Sequence, residues 1–352
     1  MGVSAKPPPR APRVRLHHAA IVVGAVVLAA LVAVALLRLN LHRVGHALIT
    51  ASPGWIVLAL ALMALSLVMR SISWHQVLRA ALPDTHIPWA PVIRATMIGV
   101  MASAVFPGRI GEPTRVVVLS RRLEGSTRRQ LAIVAGTVFS QTLINLVALG
   151  ILLAVTFTSV PLPHGRLGAA ASVLAVPLAI CLLVIAGPYG LAVARRSRRP
   201  RVSRAAYTIG RMLELARQGL VVFARPRYGA SAIAFQLLAW ALQWLACYAV
   251  LLALGLEDET GLVTAAAILL AVNVSAVLPA TPSNVGVFQA ACVVVLAAYN
   301  VGAGVAVAYG IILQAVEIVT ALALGVPALL AEGLTWQDIR SQASASPGER
   351  AD

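Results

Sequence analysis

Long apolar runs separated by short connections rich in arginine succeed one another along almost the whole chain. They lie at about 19–37, 53–70, 91–106, 130–158, 168–193, 229–254, 262–278, 284–299 and 305–330. An α-helix rises about 1.5 Å per residue, so about 20 apolar residues cross the roughly 30 Å hydrocarbon layer of a bilayer. Six runs are expected to span: 19–37, 53–70, 130–158, 168–193, 229–254 and 305–330. Two others behave differently. The runs 91–106 and 262–278 stop at Phe106-Pro107-Gly108 and at Leu278-Pro279-Ala280-Thr281-Pro282, where proline forbids continued helical hydrogen bonding. New apolar stretches, 113–119 and 284–299, follow within a few residues. The pattern predicts an all-α integral membrane protein, a polytopic helical bundle of about six spanning helices plus two Pro/Gly-broken, re-entrant helix hairpins.

Composition agrees with this pattern and removes the soluble classes. Hydrophobic residues make up 60% of the chain, charged residues only 11%, and the mean hydropathy is +0.88; a soluble domain carries about 25% charged residues. A net charge of +16 in a soluble protein would point to nucleic acid. Here the basic residues sit in the connections between apolar runs, as cytoplasmic loops do under the positive-inside bias, and no nucleic-acid partner is expected. With segments 1–18, 71–90, 121–129, 194–228 and 331–352 inside, only Arg38, Arg43 and Arg166 of 28 Lys and Arg fall outside. The expected location is the cell membrane, as a multi-pass protein with both termini cytoplasmic. Cys181, Cys247 and Cys292 fall inside apolar runs without CxxC or Cys/His spacing, and read as buried hydrophobes, so no metal or other cofactor is expected.

The expected division is a basic, Pro-rich tail at 1–18, a first membrane repeat at 19–158, a second at 159–330 and a polar tail at 331–352. The first run ends in Leu-Leu-Arg rather than a small-residue cleavage site and reads as a retained anchor. Within the second repeat, 194–228 includes a stretch, 202–224, that alternates apolar and basic residues at helical spacing and reads as an interfacial helix on anionic lipid.

An internal repeat supports this division. The segment beginning at Ser103, SAVFPGRIGEPTRVVVL, is similar to SAVLPATPSNVGVFQAACVVVL, which begins at Ser275. Each hairpin is preceded by two expected spans and followed by one, and the halves begin on opposite sides of the membrane, so the repeat is inverted. Paired broken helices in inverted repeats point to a transporter-like site near the bilayer midplane, because an interrupted helix in lipid must be covered by protein or a polar cavity. Freed helix N-termini offer N–H donors to an anionic group. Pro113 suits the first turn of the second half-helix in the first hairpin, and Ser283 or Asn284 suits the cap in the second.

FPGRIGEPTRVVVL resembles the PGR-x-GE-x-x-R segment, and LPATPSNVGVFQAA the P-x-x-P-x-x-x-G-x-x-E segment, of the lysylphosphatidylglycerol synthase transmembrane, flippase-like family. The resemblance covers residues 20 to 330 as a hydropathy plan and is sharp in the two motifs. It implies translocation of an anionic, aminoacylated or isoprenoid-linked lipid across the cytoplasmic membrane. It also brings departures: Gln289 stands where the family pattern tends to have Glu, and the 22 residues after Leu330 are too few for the soluble aminoacyl transferase domain of some members.

The candidate lipid-binding residues are Pro107, Gly108, Arg109, Gly111, Glu112 and Arg115 at the first break, and Pro279, Pro282, Asn284, Gly286 and Gln289 at the second. Glu112 can pair with Arg109 or Arg115 while the other arginine meets a lipid phosphate, whose oxygens fit the guanidinium fork; the bland alternative is a solvated salt bridge in a cytoplasmic turn. Glu317 shares a helix face with Gln314 and is a candidate for proton coupling, or else bonds a neighbouring helix. Arg94 reads as snorkelling to headgroups. Ser140, Gln141 and Asn145 either line a cavity or join helices. Asp occurs only at 84, 258, 338 and 352, and no DxD, GxSxG, HExxH or P-loop is present, so no enzyme activity is expected. The expected partner is a membrane lipid with an anionic headgroup; a lipid-modifying enzyme and a homo-oligomer are also compatible. The competing function is a non-catalytic accessory subunit of a lipid-modifying or cell-envelope glycan assembly system.

Overall fold

The structure, a computed structural model, describes residues 41–105, 110–123, 127–159, 221–276 and 284–333. These residues form ten helices: α1 Leu41–Thr50, α2 Pro53–Ala81, α3 Trp89–Val105, α4 Gly111–Ser120, α5 Thr127–Ser159, α6 Val221–Ala224, α7 Pro226–Ala253, α8 Leu262–Ser275, α9 Val287–Ala297 and α10 Ala303–Ala331. Among the described residues there is no strand, and the polytopic all-helical expectation holds. Four helices, α2, α5, α7 and α10, are long and apolar enough to cross a membrane. The runs expected at 19–37 and 168–193 and most of the interfacial stretch 202–224 lie outside the described residues.

Residues 38–52, expected to lie outside, hold the helix Leu41–Thr50. Its Ala47 is buried with Val307 and Ala308 of α10. The run at 53–70 continues as helix to Ala81. Hydropathy falls after Arg70 because serines and a histidine enter the sequence, but the serine hydroxyls are satisfied within the protein. Ser71 Oγ donates to the Leu67 carbonyl at 2.8 Å and Ser73 Oγ to the Ala232 carbonyl at 2.8 Å. A buried polar group with a partner costs little, so the helix does not have to end where the apolar run does.

The centre of the bundle is an antiparallel pair, α2 and α7. Both helices begin with proline, whose missing N–H is harmless in the first turn. As the α2 side advances from Ser52 to Ser66 to Ser73, the bonded α7 carbonyl retreats from Ala253 to Ala239 to Ala232. Around this pair, α10 packs along α3 and α8 packs along α5, so the last span of each half covers the first hairpin helix of the other.

Several bonded positions stand at one spacing along the chain. Arg70 and Gln243, 173 residues apart, are bonded to each other. The same spacing separates Trp74, which donates to Thr137 on α5, from Cys247, whose carbonyl accepts from Tyr309 on α10. It also separates Gln141, bonded to α4, from Gln314, bonded to α9.

The first hairpin returns to the face it starts from. Arg94, near the start of α3, and Arg122, just after α4, both pair with Glu332 at the end of α10, at 3.2 and 2.8 Å. Arg94 therefore does not snorkel freely: its guanidinium is held by a carboxylate that is 3% exposed. The second hairpin has its ends at the opposite end of α10, where Leu256, Leu296 and Val301 share one core. A second core gathers α3, α4 and the end of α2 on the Glu332 side.

Candidate functional site

The described ends of the first helix of each hairpin approach each other where these cores meet. Ser103 and Ala104 near the end of α3, and Asn273 and Ala276 at the end of α8, line a cavity of about 290 Å³ together with Asn284. Its remaining polar lining comes from the long helices: Ser66 and Arg70 on α2, Gln243 on α7, and Gln314 and Glu317 on α10. Glu317 is the central residue of the 29-residue α10, so the cavity lies at mid-height of the bundle.

Arg70 and Glu317 set the electrostatics. Arg70 Nη2 donates to Gln243 Oε1 at 3.3 Å, while its Nε is buried and has no acceptor. Glu317 takes part in no hydrogen bond or ion pair among the described residues. An ionisable side chain near the centre of a bilayer costs at least about 2.5–3.5 kcal/mol, so two around one cavity, of opposite charge but not joined in an ion pair, mark a site for something else. A guanidinium offers five donors in a planar fork that matches phosphate or carboxylate oxygens. A carboxylate on the far wall accepts from an ammonium or hydroxyl.

At the first break, Pro107, Gly108 and Arg109 lie outside the described residues. Glu112 pairs with Arg115, as one of the two expected pairings required. Arg115 is buried rather than solvated: it lies 4.8 Å from the ring centre of Trp74, and Nη1 donates to Gln141 Oε1 at 2.7 Å. Gln141 Nε2 in turn donates to the Arg70 carbonyl at 3.1 Å. Neither Glu112 nor Arg115 lines the cavity; Arg115 is the strut behind Arg70. Gly111 faces the backbone oxygen of Gly99 and the hydroxyl of Ser103 so closely that no Cβ fits there, and this contact holds α4 against α3.

At the second break, Pro279 and Pro282 lie outside the described residues. The cap differs from expectation. Asn284 adopts φ 53° in the cavity wall, and Gly286, at φ 89°, is the N-cap of α9. A residue with φ in that range favours glycine, and the turn needed to re-enter a helix so soon after two prolines supplies the reason. Gln289 Oε1 accepts from Gly286 N at 2.7 Å and its Nε2 donates to Gln314 Oε1 at 2.6 Å. The amide where the family pattern tends to have a carboxylate thus closes the half-helix and ties it to α10.

Arg70, Gln243, Asn273 and Glu332 escape the sequence reading. Arg70 stands last in an apolar run and resembles a loop arginine until the helix is known to continue. Ser140 and Gln141 are buried, and Asn145 accepts from Gln236 and Trp240 at 2.7 and 3.1 Å. Gln141 and Asn145 join helices and, like Ser140, do not line the cavity. Among the described residues no group of His, Cys, Asp and Glu is arranged to hold a metal ion.

Comparison with curated proteins gives no match. The model of the family described as lysylphosphatidylglycerol synthase TM region matches residues 21–325. That stretch holds both hairpins, the α2–α7 pair and the cavity between them, and the chain belongs to that family.

Proposed function

We propose that this chain translocates a membrane lipid with an anionic headgroup, without making or breaking covalent bonds, and that the mid-height cavity is where the headgroup passes. The observation that carries the reading is the presence around one cavity of Arg70, whose buried Nε has no acceptor among the described residues, and of the Glu317 carboxyl. The hairpins dip into the membrane from opposite faces, in keeping with Arg94 and Arg122 sharing Glu332 at the base of the first. The halves form an inverted repeat, in keeping with the spacing of 173 residues between corresponding bonded positions. The basic ends of α2, α4 and α7 face the cytoplasm under the positive-inside bias.

The test is lipid movement in liposomes holding the purified protein, with fluorescent anionic and zwitterionic lipids and isoprenoid phosphates as probes. Wild type should move anionic probes faster than empty liposomes, and Arg70→Gln should slow them about tenfold, the scale of one charge-assisted hydrogen bond. Wild type indistinguishable from empty liposomes for every probe would favour the accessory-subunit reading.

A further inference from the structure

A second cavity, of about 400 Å³, lies at the Glu332 side of the bundle. It is built from the last turns of α2, the connection 82–88, the start of α3 and Tyr228 on α7. At 1.5 Å per residue Arg79 stands about 13 Å further along α2 than Arg70, so this cavity is separate from the mid-height one.

Its chemistry is specific. His75 is buried and stacked on Trp89, ring centres 3.6 Å apart. His75 Nε2 lies 2.9 Å from the Ile87 carbonyl oxygen. A carbonyl only accepts, so Nε2 carries the hydrogen, and in the neutral ring Nδ1 is an acceptor. That Nδ1 is buried and has no partner. Arg79 is exposed, lies 5.5 Å from the ring centre of Tyr228, and makes no ion pair among the described residues. Its N–H edges are open to an anion. Asp84, also in the wall, is a second acceptor. Trp89 and Tyr228 are the residue types that settle at the headgroup level of a bilayer.

We propose that this cavity holds the headgroup of a phospholipid from the leaflet on this side: the phosphate against Arg79, and a hydroxyl or ammonium of the same headgroup donating to His75 Nδ1 and Asp84. The demand for both an anion and a donor selects phosphatidylglycerol or phosphatidylethanolamine over phosphatidylcholine, whose headgroup has no N–H or O–H. The bound lipid ties the α2–α3 connection to α7 and takes no part in translocation.

The full chain is reconstituted in phosphatidylcholine nanodiscs containing a minority of phosphatidylglycerol or phosphatidylethanolamine, and the retained lipids are identified by native mass spectrometry. Wild type and Arg70→Gln, which disables the central cavity, should both retain the donor-bearing lipid over phosphatidylcholine. Arg79→Gln and His75→Phe should each lower that retention about tenfold. Arg79 is exposed, so Arg79→Gln decides the matter even if His75→Phe does not fold. Equal retention of all three lipids, or undiminished retention by Arg79→Gln, overturns the proposal. Retention lost in Arg70→Gln alone also overturns it, by assigning the lipid to the central cavity. Glycerol 3-phosphate is added to protein in pure phosphatidylcholine as the soluble arm. A thermal shift there that Arg79→Gln abolishes, without lipid retention, replaces the lipid with a soluble phosphate ester.

Discussion

Arg70 on α2 donates to Gln243 on α7, 173 residues further along the chain. Gln243 is a neutral acceptor, so it fixes the guanidinium without cancelling its charge. Gln243→Glu should convert this bond into an ion pair. The protein should then be as stable as wild type or more so, while anionic lipid moves about tenfold more slowly, because the cation is already satisfied. Gln243→Leu should instead lower thermal stability by about 1–3 kcal/mol, the cost of a buried donor left without a partner. Thermal unfolding in detergent and the liposome assay together separate the two outcomes. Loss of stability in both variants would argue for a purely structural bond.

Glu332 holds Arg94 and Arg122 at once and is itself almost fully buried. Glu332→Gln should leave two arginines sharing a neutral acceptor and loosen the base of the first hairpin. Removing one partner of a buried charged cluster costs about 3–5 kcal/mol. Exposure of Arg122 discounts that to about 1–2 kcal/mol. Hydrogen exchange should rise at Trp89–Arg94 and at Ser120–Arg122 together, and rise in only one of them would show that the hairpin ends are not held as a unit.

Gly111 and Gly325 both sit against neighbours with no room for a Cβ, but the neighbours differ. Gly111 meets the Gly99 backbone, whereas Gly325 meets the Cβ of Met101, which its backbone fixes and no rotamer change removes. Gly111→Ala and Gly325→Ala should therefore each lower stability by about 1–3 kcal/mol through overpacking. Melting temperatures of the two variants, measured side by side, check this, and an unchanged value for either would show that its helix can shift to make room.

Gln289 both caps α9 and donates to Gln314. Gln289→Glu keeps the cap and turns the second bond into an acceptor facing an acceptor unless the Gln314 amide reverses. A loss of about 1 kcal/mol is expected, and about 1–2 kcal/mol for Gln289→Ala, which removes the cap as well. A larger loss for Gln289→Glu than for Gln289→Ala would show that a charge is not tolerated beside the cavity.

The hairpins were legible because Pro107-Gly108 and the pair Pro279 and Pro282 break a helix where a lone proline such as Pro327 is carried inside one, and Ser103 and Ser275 begin matching interruptions. The cavity was only half legible. Glu317 stands out in an apolar run because a lone charge has no other explanation there. Arg70 does not, because an arginine at the edge of an apolar run is what any cytoplasmic loop supplies. That α2 continues for three more turns follows from tertiary bonds such as that of Ser73 to the Ala232 carbonyl, which hydropathy does not register. Arg115 misled for the opposite reason: its motif marks it as important, but its partners, Trp74 and Gln141, are distant in sequence and make it a strut.

The two hairpins share a plan but not a lining. The first carries Arg94 and Arg115 and ends at Arg121 and Arg122, whereas no lysine or arginine occurs between residues 255 and 303 around the second. An anion approaching from the Glu332 side is drawn along a graded positive potential to Arg70, and one approaching from the other side meets neutral amides and the acidic run Glu257-Asp258-Glu259. If the chain moves lipid as proposed, a frame that is nearly symmetric in its bonds thus presents two unequal free-energy slopes to a charged headgroup, and entry from one leaflet should be faster than entry from the other even where the equilibrium between leaflets is even.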